Sequence, residues 1–227
     1  MKLGLFSISI LGSAALWGQP NPPAVRAIGS ASVFVKPDRA KIDIGVVTQA
    51  ALADAAASQN AAQLQSVLAK LHTALGPNAD IRTISYALNP VYQYPKAGGK
   101  ATIDGYSAVN IVEVTSDDLP NIGKVIDAGT AGGANEIRSL QFTLKDQKPA
   151  RSEALRKASM EARDNAEAMA GALGLKLGKV LMLEQSGGQP VRPMMLPMNA
   201  RTAAVNTPIE AEPIEVQVSV TLTVMVE

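Results

Sequence analysis

IGSASVFVKPDRAKIDIGV, residues 28–46, is two alternating runs joined at one tetrapeptide. Ala31, Val33 and Val35 share one face of an extended chain, and Ala40, Ile42, Ile44 and Val46 share one after the break. Side chains of a strand alternate between faces, so this period-two apolar spacing predicts two half-buried β-strands. Between them, Lys36-Pro37-Asp38-Arg39 sets both charges around a residue that lacks an N–H and fixes its own φ. Such a proline belongs at a strand end or bend. The stretch holds no histidine or cysteine, so it reads as strand, bend, strand with a wet corner rather than as a reactive site.

Working outward, the period changes. Leu64, Val67, Leu68, Leu71 and Leu75 fall at helical spacing, and Gly76-Pro77 supplies a stop, which predicts a helix over 52–75. Its alanine-rich front suits close packing on a sheet. Ile84, Tyr86 and Leu88 begin a strand that runs toward the turn-like KAGGK at 96–100. At 102–115, Ala108, Val109, Ile111, Val112 and Val114 are apolar on both faces, the pattern of a central strand with layers above and below. Ser116-Asp117-Asp118 is placed to cap a short helix bearing Leu119, Ile122, Val125 and Ile126. Leu140, Phe142 and Leu144 resume strand alternation.

The strongest helix signal is 149–173, where Ala154, Ala158, Ala162, Ala166 and Ala170 recur every fourth residue between Pro149 and Gly174. Small side chains in a stripe allow a close helix approach. A strand near Lys179–Glu184 follows. The final strand places an apolar residue at every second position from Ile214 to Val226, with one wet face. The order ββαββαβαββ predicts an α+β fold, mainly antiparallel sheets packed with three helices. Strand–helix–strand occurs over 40–88 and again over 106–144, a hint of structural duplication.

Composition bounds function. The 227 residues are 47% apolar and 18% charged with a net charge of +1, which suits a globular domain. Without a basic stripe, nucleic acid is excluded as a partner. Lys2 followed by the uncharged run Leu3–Trp17 reads as a cleaved secretory signal peptide over 1–18, with cleavage after Ala15 or Gly18. A disordered lead-in over 19–24 and one domain over 25–227 complete the expected organisation. No later run reaches membrane-span length, so the mature chain carries no transmembrane segment. Absence of cysteine removes both a disulfide framework and a lipid-attachment site.

Chemistry is sparse. With no cysteine and the single histidine His72, the usual zinc, iron–sulfur and haem ligand sets cannot be assembled, and no G-x-S-x-G elbow exists. Glycine clusters at 129–135 and 171–178 miss the dinucleotide fingerprint. The carboxylate groups Asp117/Asp118 and Glu210/Glu212/Glu215 lie where solvated or capping acids belong. The reading is no catalytic residue, no cofactor and no metal site, with one alternative. Met194, Met195 and Met198 stand in a long Met/Pro-rich segment, 186–213, read as a flexible loop; thioethers bind Cu(I), and they equally make pliable apolar contacts.

Seven landmarks occur in order: VRAIGSASVFVKPDRAKIDIGV (25–46), DIRTISYALNPVY (80–92), GYSAVNIVEV (105–114), DLPNIGKVIDAG (118–129), GANEIRSLQF (133–142), ALRKASMEARDNAEAMAGALGLKLGKV (154–180) and the terminal strand. In these the chain resembles the SIMPL-domain family, which includes a periplasmic immunogenic protein and relatives associated with a signalling kinase. The resemblance implies an α+β fold, a periplasmic or secreted location with possible outer-membrane association, and a non-enzymatic role. It further implies self-assembly into a ring- or channel-like oligomer, a link to oxidative-stress tolerance, and envelope proteins as partners. It brings no catalytic residues to carry over. The expectation is an exported structural or interaction protein; the alternative is a periplasmic ligand- or Cu(I)-binding module using the Met/Pro segment.

Overall fold

A computed structural model describes residues 22–77, 79–94, 99–186 and 211–227. In chain order the elements are β1 (Ala24–Val35), β2 (Arg39–Ala50), α1 (Ala53–Leu75), β3 (Asp80–Gln93), β4 (Thr102–Ser116), a 3₁₀ turn (Leu119–Asn121), α2 (Ile122–Ala131), β5 (Glu136–Thr143), α3 (Lys148–Ala172), β6 (Leu177–Ser186) and β7 (Ile214–Val226). The α+β order read from periodicity is the observed one. The strands form two antiparallel sheets, β3-β4-β2-β5 and β1-β7-β6. The expected signal peptide over 1–18 and residues 187–210 of the Met/Pro segment lie outside the described residues.

In the four-stranded sheet, β2-α1-β3 and β4-α2-β5 interleave, with β2 and β4 central and antiparallel. Exchanging the two units merely reverses the strand order, so the duplication hinted at by the sequence is a pseudo-two-fold of ferredoxin-like, split β-α-β topology. Ala40, Ile42, Ile44 and Val46 of β2 and Val112 and Val114 of β4 are buried against Val67 and Leu71 of α1 and Ile122, Val125 and Ile126 of α2. At β4, the prediction of layers on both faces is half right: the two helices pack together over the face carrying Val112 and Val114. The opposite face carries ion pairs, Lys41 Nζ to Glu113 at 3.2 Å and Arg82 Nε to Glu113 at 3.6 Å. There Ile111 is buried opposite Gly45, where a Cβ would lie 3.1 Å from the Glu136 side chain.

The three-stranded sheet is built differently. Its helix, α3, buries Ala150, Ala154, Ala158, Ala162, Ala166 and Ala170, and no larger residue. These meet β1 and the inward row of β7, Ile214, Val216, Val218, Val220, Leu222 and Val224. The helix sits so close that a Cβ on Gly29 of β1 would lie 2.1 Å from the Ala158 carbonyl oxygen and 2.3 Å from the Ala162 nitrogen. Only glycine fits beneath it. The helix ends at Gly174, whose φ of +74° is the left-handed conformation glycine adopts without strain.

Candidate interaction surface

The Lys36–Arg39 corner carries the chain from one sheet to the other. Pro37 is buried there, and its charged neighbours do more than stay wet. Asp38 accepts the Lys145 backbone N–H at Oδ1 (2.7 Å) and donates its own N–H to the Thr143 carbonyl (3.3 Å). Arg39 Nε donates to Asp117 Oδ1 at 2.9 Å, and Lys145 Nζ lies 2.7 Å from Asp117 Oδ2. Residues from the β1–β2 bend, the end of β4 and the β5–α3 link therefore converge on one carboxylate. Hydrogen bonds from Arg39 and then Lys145 hold Asp117 at about 2, below its ordinary 3.8. The capping role predicted for Asp117 is thus not the one it fills. Asp118 stands before the 3₁₀ turn without capping it, accepting instead from Asn121 Nδ2 at 2.7 Å. The corner is a structural clasp, with Arg39 and Lys145 paired to Asp117 and Asp38 bonded to the backbone of the β5–α3 link.

The remaining candidates among the described residues stand apart from one another. His72 is exposed on α1. Glu215 accepts from Ser32 Oγ at 2.5 Å, and Glu212 is exposed. Among the described residues no three His, Cys, Asp or Glu side chains come together as metal ligands. Met194, Met195, Met198 and Glu210 lie outside those residues. A cavity of about 190 Å³ opens where α1 ends beside β4 and α2, but its Asp118 and Asn121 are bonded to each other and Ser116 Oγ accepts from the Asp118 N–H.

What the molecule does display is apolar surface on its outermost strands. All four tyrosines of the chain belong to the β3–β4 hairpin region: Tyr86, Tyr92, Tyr94 and Tyr106. Because β2 pairs with β4 only as far as Tyr106, the hairpin continues beyond it as a two-stranded ribbon carrying exposed Tyr92 and Ile103. On the other sheet, β6 exposes four consecutive large residues, Val180, Leu181, Met182 and Leu183, at 44–56%. Sequence reading found both strands but not their exposure, since alternation reports faces and not which strand ends up at an edge.

The architecture is that of an α+β protein with two helix-covered antiparallel sheets and apolar outer strands. The chain matches the SIMPL family, described as a protein of unknown function (DUF541), over residues 25–224, and belongs to that family. It is 32% identical to the uncharacterised protein YggE of Escherichia coli (strain K12) over 205 residues, 88% of this chain and 81% of that one. Over 165 residues it is 32% identical to YggE of Edwardsiella ictaluri, 71% of this chain and 67% of that one. It is 26% identical to the 26 kDa periplasmic immunogenic protein of Brucella melitensis over 196 residues, 85% of this chain and 78% of that one. No helix of the described residues is long and apolar enough to cross a membrane.

Proposed function

We propose that this chain is an exported, non-enzymatic protein of the bacterial cell envelope that assembles with copies of itself. The observation that carries the reading is the run of exposed apolar residues on the edge strand β6, Val180 to Leu183. Open strand edges bearing large apolar groups are associative unless blunted or covered. Export is supported by the leader at residues 1–18 and by the periplasmic relative. A part in tolerance of oxidative stress rests on the family resemblance. The test is the native mass of the mature chain by light scattering at micromolar concentration. A mass at a multiple of one chain, against 23.6 kDa for the full sequence, is expected, and a monodisperse monomer overturns assembly. Cell fractionation with the leader intact should place the processed chain in the periplasm; retention in the cytoplasm overturns export.

A further inference from the structure

The four strand edges of the molecule are not equivalent. On β1, two backbone groups are already bonded to α3: the Ser30 N–H donates to Glu161 Oε2 at 2.7 Å, and Asn165 Nδ2 donates to the Ile28 carbonyl at 2.9 Å. The β5 edge carries Glu136 and Arg138, paired at 3.1 Å, and charge on an edge discourages pairing. β3 contains Pro90, with no N–H to offer, and a bulge at Ile84. Across its centre β6 has neither proline nor charge, only Val180-Leu181-Met182-Leu183, with Lys179 before and Glu184 after, both exposed.

That hexapeptide, Lys-Val-Leu-Met-Leu-Glu, complements its own reverse. Laid antiparallel about a two-fold axis between Leu181 and Met182, it sets Val180 opposite the partner's Leu183, and Lys179 opposite the partner's Glu184, each twice. Strict alternation would place Val180 and Leu183 on opposite faces. However, β6 shifts register between Val180 and Met182, adding one residue on its β7 side. Val180 therefore stands opposite Val224 and Leu183 opposite Leu222, both on the helix-facing side of the sheet. The irregularity restores the face match that the pairing needs.

We propose that β6 is the surface by which two copies of this chain associate, its edge pairing antiparallel with β6 of the partner about that axis. Two three-stranded sheets would become one of six strands, with apolar pairs at the centre and an ion pair at each end. An isologous contact of this sort requires self-complementarity, which the charge pattern supplies. The inference rests on the self-assembly reading and is tested separately from it.

The experiment is charge reversal, read by analytical ultracentrifugation of the mature chain. Lys179→Glu and Glu184→Lys each set like charges opposite one another twice and should weaken association about tenfold. The double variant restores opposite charges and should restore the wild-type constant. Both positions are exposed, so unchanged circular dichroism controls for folding. Since the chain lacks cysteine, mixing Val180→Cys with Leu183→Cys chains under oxidant offers an independent measure: the mixture should cross-link far more than either alone. An assembled wild type whose association ignores the reversals, or a mixture that fails to cross-link, overturns β6 while leaving self-assembly standing. The first outcome would direct attention to the tyrosine-bearing ribbon. A monomeric wild type removes both readings.

Discussion

The two helix–sheet layers solve the same problem with opposite materials. Over the four-stranded sheet, α1 and α2 fill the interface with Val67, Leu71, Ile122, Val125 and Ile126, and burial of large aliphatic groups is the stabilising term. Over the three-stranded sheet, α3 buries alanines alone and descends until its backbone meets Gly29. There the helix contributes closeness, and β7 contributes the bulk. An interface made of large groups is vulnerable to removal, and one made of small groups is vulnerable to addition. Packing at crystal-like density leaves neither layer room to exchange strategies.

Truncation should separate the layers most. Leu71→Ala, at a fully buried position, leaves a cavity in the aliphatic layer and should cost about 4 kcal/mol in urea unfolding; a loss under about 1 kcal/mol would show that layer to be loosely filled. The sharpest comparison is one substitution made once in each layer. Gly29→Ala drives a methyl group into the α3 backbone and should cost about 3 kcal/mol, because a helix backbone cannot yield as a side chain can. Gly129→Ala, inside α2, meets side-chain atoms, Ile44 Cδ1 at 3.1 Å and Cγ2 at 3.4 Å and Leu71 Cδ2 at 3.8 Å, and gains helix propensity worth up to about 1 kcal/mol. Its net effect should stay within about 1 kcal/mol of zero. Equal costs at the two glycines would refute the distinction.

The smallest effect concerns the clasp between the layers. A carboxylate held at about 2 when folded, against 3.8 ordinarily, adds stability that is complete above the ordinary value and disappears as pH falls through the folded one. Wild type should therefore melt above Asp117→Asn at neutral pH, and the gap should close between about pH 4 and pH 2. A gap independent of pH over that range would mean Asp117 acts by shape rather than charge.

How much of this was legible follows from the range of each interaction. Strands and helices announce themselves within a few residues, and so the alternation at 28–46 and the alanine repeat in α3 were read correctly. The alanine stripe even signalled close approach, though not that Gly29 would be the residue beneath it. The clasp was not legible, because Arg39 and Asp117 lie 78 residues apart and Asp38 and Lys145 107 apart, and any surface acid is a plausible cap until its partners are known. For the same reason the apolar run in β6 reads from the sequence only as a strand. Its exposure depends on β7, a strand separated from β6 by 27 residues, taking the central place in the sheet.

That place has a consequence for how the chain acquires its shape. β1 pairs with β7 from Ala24 opposite Met225 to Val35 opposite Ile214, so the first strand of the domain finds its neighbour nearly two hundred residues later. Residues 39–143 contain every strand of the ferredoxin-like sheet and close short loops. Closing the β1–β7 pair means closing the longest loop available, which is entropically and kinetically expensive. A chain emerging N-terminus first from a ribosome or a membrane pore must keep β1 waiting, with Ala27 uncovered, until its last thirteen-residue strand has arrived. For this protein the opening strand is the one whose folding is finished last.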